Sequence, residues 1–472
     1  MHQPSMRKAL CLLALLACGC SGAESLLDPE ACTPPQVVRS DVSPNANNVL
    51  SAIVTAEVLA ADSIAVRFGD PGATLDSVTP GGPPGTGASG LPVLGLYAAK
   101  DYALQVVAFN GCATAHGEIL TFTTAALPSD LPSYVAGGPA PSSGYVVFAA
   151  GSYGLAIDNS GRVAWYHRFP NGPGLNFQAQ ANGRYVARPT PASGGQTPSW
   201  LELDPLGNVT RTFTCARGMV PRAHDVLVLT DGSHWVMCDE VRTFDLASVG
   251  GSPKASVLGT AVHHVTAGGD LLFEWSAFDN LTIDLAELAA SEVSASMLNW
   301  THGNALDLDG DGNLLLSFRN LSTIVKIDTR TGAVVWHMGG SRNEFDFENT
   351  AMPPFSGQHG LRATGQHRLL LLDNVGEHDV SRAERYEYDE AARRVRLTDA
   401  YVSSRPGVIA RLGGTTQDLP GGRTLVSFGN GASVEEYDAA GNVVWRIEGD
   451  PGYVFRAQRI RSLYSPGAGD PH

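Results

Sequence analysis

The residues best suited to chemistry lie between positions 300 and 340, where His302 and Arg319 fall on one predicted β-hairpin. Polar and apolar residues alternate over 304–309, residues 310–312 (Gly-Asp-Gly) supply the turn, and a second apolar run ends at Arg319. An imidazole beside the planar donor fork of an arginine is suited to holding an anionic group.

The register of this hairpin depends on its turn. A two-residue loop at Gly310-Asp311 puts His302 directly opposite Arg319, whereas a loop at Asp311-Gly312 leaves the two side chains diagonal. In both registers they are cross-strand neighbours, roughly 5–8 Å apart at Cβ. For an isolated hairpin, a solvated His–Arg pair at the end of a sheet is the simpler alternative.

An imperfect repeat supplies the elements that position this pair. A strand followed by a D-x-x-G-x-V-x-W-like turn recurs at residues 157–165, 203–209, 327–336 and 437–445. Between these segments lie hairpin turns at 182–183, 231–232, 311–312, 365–366 and 421–422, mostly about fifty residues apart. With further blades near Tyr145–His167 and Lys254–Trp275, the pattern predicts a six-bladed β-propeller over 144–472.

Three of the 13 histidines share one phase of this repeat. His224, His302 and His359 each open the first strand of a hairpin. In a propeller the first strands line the central channel, so residues of equal phase converge at one mouth. We therefore expect the three histidines and Arg319 to form a site, with the tandem pair His263-His264 as a competitor for one position.

Composition agrees with an all-β protein. The chain has 472 residues, with 53 glycines, 29 prolines and only 17% charged residues. Residues 32–126 contain short strand-like runs separated by turns and resemble a fibronectin type III or Ig-like β-sandwich, followed by a linker over 127–143. The net charge of −15 argues against nucleic acid as a partner.

The motifs of the predicted propeller resemble the bacterial arylsulfotransferase (aryl-sulfate sulfotransferase) family. The resemblance covers nearly all of the mature chain and is most specific over 300–340. It is carried by His224-Asp225, Trp300-Thr-His302-Gly-Asn304-Ala, Ser317-Phe-Arg319-Asn-Leu-Ser, Gly332-Ala-Val-Val-Trp336 with Gly339-Gly340, and Gln358-His359 followed by Leu372-Asp373-Asn374.

The resemblance implies transfer of a sulfuryl group from a phenolic sulfate ester to a phenol, without adenosine-phosphosulfate and without a cofactor. It implies ping-pong chemistry through a sulfohistidine at His359, with His224, His302, Arg319 and Asn304 around the sulfate. A neutral imidazole is a competent nucleophile, arginine can bind the sulfuryl oxygens, and a further histidine can move the phenolic proton. A non-catalytic, lipid-anchored binding or scaffold propeller is the alternative function.

The N-terminal end resembles an export signal. Arg7 and Lys8 precede a short apolar run, and residues 15–21 resemble a bacterial lipobox, with Cys18 as the lipidated residue and Cys20 as the alternative. We thus expect a lipoprotein signal peptide over 1–20 and a cell-envelope location at the periplasm or cell surface; an ordinary secretory signal is the other possibility.

Four further cysteines suggest two disulfides in an exported protein. Three pairings are possible, and the domain layout favours Cys32–Cys112 and Cys215–Cys238.

One acidic motif resembles the start of a calcium loop. Asp307, Asp309 and Asp311 alternate as in such loops, but Phe318 stands where the bidentate glutamate is expected. A tight turn without metal is the favoured interpretation.

Overall fold

The structure is a computed structural model that describes residues 32–84, 90–191, 198–285, 288, 293–350, 354–375 and 380–469. It is an all-β protein, as predicted. The signal segment with Cys18 and Cys20 lies outside the described residues. Both predicted disulfides, Cys32–Cys112 and Cys215–Cys238, are present.

The N-terminal part forms two antiparallel sheets. Its strands are β1 (Gln36–Pro44), β2 (Ala52–Leu59), β3 (Ser63–Gly69), β4 (Ser77–Val78), β5 (Leu91–Val93), β6 (Asp101–Phe109) and β7 (Thr114–Thr123). One sheet has the order β1-β2-β5 and the other β4-β3-β6-β7. Fully buried β-branched and leucine side chains, including Val54, Val66 and Leu104, form their common core.

Within the described residues, the rest of the chain consists of strands with three short helices. The strands are β8 (Ala136–Gly137), β9 (Tyr145–Ala150), β10 (Tyr153–Ile157), β11 (Val163–Arg168), β12 (Phe177–Gln180), β13 (Arg184–Ala187), β14 (Trp200–Leu203), β15 (Val209–Phe213), β16 (Val220–Val228), β17 (His234–Phe244), β18 (Ala255–Val265), β19 (Leu271–Ser276), β20 (Leu298–Asn299), β21 (Gly303–Leu308), β22 (Leu314–Phe318), β23 (Thr323–Ile327), β24 (Val334–Gly339), β25 (Asp346–Glu348), β26 (His359–Ala363), β27 (Arg368–Asp373), β28 (Arg382–Asp389), β29 (Arg394–Val402), β30 (Thr415–Leu419), β31 (Arg423–Ser427), β32 (Val434–Tyr437), β33 (Val443–Ile447) and β34 (Ala457–Ile460).

The helices are α1 (Ala277–Asn280) and two 3-10 turns, Ala216–Gly218 and Ala247–Val249. Across the described ranges, no helix has the length and apolar character needed to cross a bilayer.

The strands β8–β34 form six sheets, which we number first to sixth. Their orders are β34-β9-β10-β11, β12-β13-β14-β15, β16-β17-β18-β19 with β20 beside β18, β21-β22-β23-β24, β26-β27-β28-β29 with β25 beside β29, and β30-β31-β32-β33 with β8 beside β33. The C-terminal strand β34 thus begins the first sheet, and the early strand β8 ends the sixth. β34 pairs with β9 in the first sheet, and β8 pairs with β33 in the sixth sheet, so each of these sheets combines strands that are far apart in the sequence.

The first strands of all six sheets border one narrow cavity of ≈ 30 Å³. Its lining is mostly polar: Gln178, Gln180, Asp225, Asp307, Arg362, Thr415, Thr416, Gln417, Arg456 and Gln458, with a few apolar residues. Apolar side chains instead fill the spaces between neighbouring sheets. The polar first strands therefore converge, and the hydrophobic core lies around them.

The D-x-x-G-x-V-x-W repeat forms the turn between the third and fourth strands of a sheet. The aspartate side chain accepts backbone N–H groups of the turn, as Asp438 does from Ala440 and Asn442. The tryptophan then hydrogen-bonds to the neighbouring sheet. Trp165 Nε1 donates to Pro205 O at 2.7 Å and Trp445 Nε1 to Asn159 O at 2.9 Å, the latter joining the sixth sheet to the first.

One predicted repeat boundary is wrong. Residues Lys254–Trp275 do not begin a separate unit, because β18 pairs with β17 along its whole length and completes the third sheet with β19. Both β17 and β18 have 11 residues, so this hairpin is unusually long. It accounts for much of the double-length gap between the turns at Gly232 and Gly312.

Candidate active site

The hairpin β21–β22 places His302 beside Arg319. The backbone N–H of Arg319 donates to His302 O at 3.1 Å, and Gly303 pairs with Phe318. Neither predicted two-residue turn forms: Asp309 N–H donates to Asn313 O, which leaves a three-residue loop. A bulge between Gly303 and Ala305 shifts the register by one residue and restores the His302–Arg319 alignment.

His224 and His302 are in direct contact. Their Nε2 atoms lie 3.2 Å apart, and the two rings meet edge to face with centroids 4.9 Å apart. The amide nitrogen of Asn299 lies 2.7 Å from His302 Nδ1, which leaves the ring proton of His302 on Nε2. His302 Nε2–H then donates to His224 Nε2, and the pair carries one shared proton at this point.

His359 is held in a single tautomer. Its Nδ1 lies 3.0 Å from Gly357 O and 2.9 Å from Asn374 Oδ1, and both atoms are acceptors. The orientation of the Asn374 amide is fixed because its Nδ2 donates to Ala410 O and Gly413 O. Nδ1 of His359 therefore carries the proton, and Nε2 retains a free lone pair.

Phe455 lies between two of the histidines. Its ring centroid is 5.7 Å from that of His224 and 6.2 Å from that of His359, edge to face with both. The three rings form a compact aromatic group at one end of the channel-bordering strands. Phe455 just precedes β34, so the C-terminal strand contributes to a site whose histidines come from the third, fourth and fifth sheets.

Guanidinium groups surround the imidazoles. Arg222 is 4% exposed, its Nε donates to Gly303 O at 2.6 Å, and it forms an ion pair with Asp239. Arg319 donates to Asn320 Oδ1 at 3.1 Å and to Arg411 O at 3.3 Å. This region is therefore locally cationic on a protein of net charge −15, which suits an anionic ligand.

All three imidazoles are neutral at physiological pH. Burial is the largest cause, and it lowers the pKa of His359 to about 4. Burial together with Arg222 and Arg319 lowers the pKa of His302 to about 3, and burial and Arg222 hold that of His224 well below 6.5. Each ring is thus available as a lone-pair donor or a neutral hydrogen-bond donor rather than as a cation.

Asn304, which we expected to lie around the sulfate, makes a hydrogen bond within the protein. It is fully buried, and its Nδ2 donates to Gln358 O at 2.6 Å. Gln358 itself donates to Ser317 Oγ, Phe318 O and Thr323 O. The two amides tie the start of β26, where His359 lies, to the hairpin that carries Arg319.

The rival histidines lie elsewhere. His263 Nδ1 accepts from Ala216 N–H at 3.1 Å beside the Cys215–Cys238 disulfide. The His264 ring stacks on Trp235 with centroids 4.2 Å apart. Neither contacts His224, His302 or His359 in the described structure.

The acidic turn holds a lysine. Lys326 Nζ lies 2.7 Å from carboxylate oxygens of Asp309, Asp311 and Glu390. The Asp307 carboxylate is directed elsewhere and accepts the N–H groups of Leu308 and Ala363. The ammonium group thus takes the place that a calcium ion would need.

The sequence model of the arylsulfotransferase (ASST) family matches residues 215–450, which is half of the chain. The match includes β16 and β26, which carry His224 and His359, and the hairpin β21–β22, which His302 and Arg319 flank. The chain belongs to the arylsulfotransferase family. Membership in this family places the protein among the transferases.

No curated protein sequence matches the chain. Among solved structures, it is similar to a protein of unknown function from Bacteroides caccae (TM-score 0.45, 11% identity, 68% of this chain and 100% of that one). It is also similar to a virginiamycin B lyase from Staphylococcus aureus (0.36, 11%, 66% and 87%) and to a putative 6-phosphogluconolactonase from Bacteroides uniformis (0.37, 12%, 84% and 100%).

Sequence reasoning missed several residues of the site. Arg222 and Phe455 have no repeat spacing that marks them, since Arg222 precedes the His-Asp motif and Phe455 lies near the C-terminus. Asn374 belongs to the Leu372-Asp373-Asn374 motif, but the sequence predicted no role for it. Its place after the second strand of the hairpin β26–β27, which His359 begins, could have indicated that the two side chains meet.

Proposed function

We propose that this arylsulfotransferase moves a sulfuryl group from a phenolic sulfate ester to a phenol through a sulfohistidine at His359, without adenosine-phosphosulfate. The observation that carries the proposal is the fixed tautomer of His359. Its Nδ1–H is committed to Gly357 O and Asn374 Oδ1, so Nε2 is unprotonated and is the atom that attacks.

In the first half-reaction, the Nε2 lone pair forms a bond to sulfur while the bond from sulfur to the aryl oxygen breaks. The imidazole ring becomes positively charged, and the two acceptors at Nδ1–H stabilise that charge. The aryloxide departs, and a proton from solvent reaches it through the neighbouring His224–His302 pair, which is neutral before and after this relay. Arg319 presents donors to the sulfuryl oxygens, where negative charge is concentrated.

In the second half-reaction, the proton of an acceptor phenol passes through the same pair to solvent, and the phenol oxygen attacks sulfur. The N–S bond breaks, and its electron pair returns to Nε2 of His359. Over the full cycle one aryl sulfate and one phenol exchange the sulfuryl group, and no net proton is consumed.

The remaining residues act by positioning. Arg222 ties β16 to the residue after His302 and contributes positive charge near both rings of the pair. Asn304, through Gln358 O, holds the segment that leads into His359. We assign both to orientation of the histidines rather than to contact with the substrate.

We also propose that the six sheets are the blades of a propeller over residues 144–472, with a β-sandwich over 32–126 and a linker over 127–143. Support comes from the first strands, which border one cavity in chain order, and from the indole bond of Trp445 to Asn159 O between the sixth and first sheets. Convergence of six first strands explains how histidines far apart in sequence share one site.

For the cell, we propose an exported protein anchored by a lipid on Cys18 (or Cys20), facing the periplasm or the cell surface. Two disulfides in the described chain are compatible with an oxidising compartment. Radiolabelled palmitate incorporation that is lost in Cys18→Ser supports lipidation there; loss in Cys20→Ser instead assigns the alternative.

A donor–acceptor assay tests the transferase function. With 4-nitrophenyl sulfate as donor, 4-nitrophenol release should accelerate when phenol is added, and double-reciprocal plots at several phenol concentrations should be parallel. His359→Ala should abolish release, whereas His116→Ala, on β7 of the N-terminal sheets, should retain it. Absence of release by the folded wild type with several aryl sulfates would favour the binding or scaffold function.

A further inference from the structure

A second cavity lies beside the fourth sheet and is lined by none of the three histidines of the candidate site. Its volume is ≈ 210 Å³, larger than that of the cavity bordered by the first strands. The walls come from β20, β23 and β24 and from the segments beside them, and include Leu281, Leu298, Trp300, Leu321, Val325 and His337.

Apolar and polar residues both line this cavity. The apolar part includes Trp300, which is 4% exposed, and Val325, which is fully buried. The rim is polar and exposed and carries one charge of each sign, Asp284 and Arg342. Opposite charges at the rim favour a neutral ligand over a strongly ionic one, and the indole favours a planar one.

His337 supplies one specific polar group. Its Nδ1 lies 3.0 Å from Glu344 Oε1, and its backbone N–H donates to the same oxygen at 2.9 Å. The carboxylate accepts the Nδ1 proton, which leaves Nε2 for a second hydrogen bond. This Nε2 is buried and has no hydrogen-bond partner in the described part of the chain, and a hydroxyl group, which both donates and accepts, would satisfy it.

We propose that this cavity binds a single-ring phenol and is a second aryl site beside the transfer site. The size agrees, because a cavity of about 150 Å³ is enough for benzene and a hydroxyl adds little volume. The choice of a phenol over other small neutral aromatics rests on the proposed function, in which phenols are substrate and product.

A short hydrogen-bond path connects the two sites. Asn320 lines the cavity, accepts from Arg319 at Oδ1 (3.1 Å) and donates from Nδ2 to Asn299 O (2.6 Å). Asn299 in turn contacts His302 Nδ1. A phenol in the cavity therefore touches the residue that orients both Arg319 and the partner of His302.

Soaking crystals of the wild-type protein with 4-bromophenol, without any sulfate donor, tests the site directly. We expect an anomalous bromine peak between Trp300 and Val325. In solution, Leu281→Trp should fill the cavity and weaken 4-bromophenol binding there at least tenfold by calorimetry, whereas Leu271→Trp, an exposed leucine outside the cavity, should not.

A bromine peak only near the histidines, or none at all, overturns the proposal, as does binding that Leu281→Trp leaves unchanged. The wild-type soak decides the matter even if the variant fails to fold. Because no donor is present, the result does not depend on turnover. An empty cavity in a protein that transfers sulfuryl groups rejects this inference alone. A phenol bound in the cavity of an inactive protein rejects only the proposed function.

Discussion

At the scale of single residues, the chemistry depends on one unprotonated nitrogen, Nε2 of His359. Burial makes the ring neutral, and two carbonyl oxygens that accept from Nδ1 fix the tautomer with the proton on Nδ1. The surrounding guanidinium groups would repel a protonated ring but attract a sulfate ester. A neutral nucleophile inside a cationic site is therefore stable in the resting protein and ready for an anionic donor.

The pH dependence of kcat/KM reports the ionisation of this ring in the free protein. Because burial lowers the pKa of His359 to about 4, the nucleophile is unprotonated above that value. We expect kcat/KM for 4-nitrophenyl sulfate to be nearly constant from pH 7 down to about 5 and to fall below that. A half-loss near pH 6.5 would indicate an ordinary, exposed histidine and contradict the assigned role.

Asn374→Asp changes the partner of Nδ1 from an amide to a carboxylate. A negative charge beside the ring favours the protonated form, so the pKa of His359 should rise and the acid limb of kcat/KM should move upward by about one unit. The change also removes the bonds to Ala410 O and Gly413 O, at a cost of about 1–3 kcal/mol in the free energy of unfolding. An acid limb identical to that of the wild type would mean that Asn374 does not set the ionisation of His359.

At the scale of elements, each functional side chain is placed by the first strand of a sheet or by the turn beside it. The sequence phase predicted that each histidine opens a first strand. His359 begins β26, His302 directly precedes β21, and His224 lies within β16. The sequence could not predict the bulge near Asn304, which depends on the loop length. It also did not show that Lys254–Trp275 belongs to the third sheet, since the pairing of β18 with the unusually long β17 depends on contacts beyond the local pattern.

Gly360 tests how closely β26 must approach its neighbour. It has φ +63°, and a Cβ there would lie 2.6 Å from Thr415 Cα on β30. Gly360→Ala should lower the free energy of unfolding by about 2–4 kcal/mol and displace His359, with loss of activity. Denaturant unfolding measures the effect.

The matched control is Gly441→Ala, at φ +82° with open space around the added Cβ. It should cost only about 1 kcal/mol and leave activity unchanged. Equal losses for the two variants would mean that backbone conformation alone, and not the approach of β30, accounts for the effect at Gly360.

At the scale of the whole molecule, strands from both ends of the chain complete the first and sixth sheets, and indole groups connect neighbouring sheets. Composition and turn spacing predicted the all-β class. The even number of cysteines and the expected domain layout predicted the two disulfides. The contacts that bring His224 to His302, and Phe455 to both His224 and His359, were beyond the sequence. They depend on how far each sheet rotates relative to the next, which no local pattern encodes.

Trp445→Phe tests the junction between the sixth and first sheets. It removes the bond from Nε1 to Asn159 O and the contact with the Arg459 guanidinium, 4.9 Å from the ring. Trp275→Phe is the control, because Trp275 is equally buried but its Nε1 has no partner among the described residues. Calorimetry should show Trp445→Phe to be less stable than the control by about 1–2 kcal/mol, and equal stabilities would argue against a stabilising junction.

The central claim is that His359 carries the sulfuryl group between two substrates. Mass spectrometry of the wild-type protein, quenched after a pulse of 4-nitrophenyl sulfate and digested at alkaline pH, tests it most directly. We predict a sulfonate on the peptide containing His359 that disappears when phenol is added before the quench. Rapid transfer with no sulfonate on His359, or with a sulfonate on His224 or His302 instead, would contradict the account.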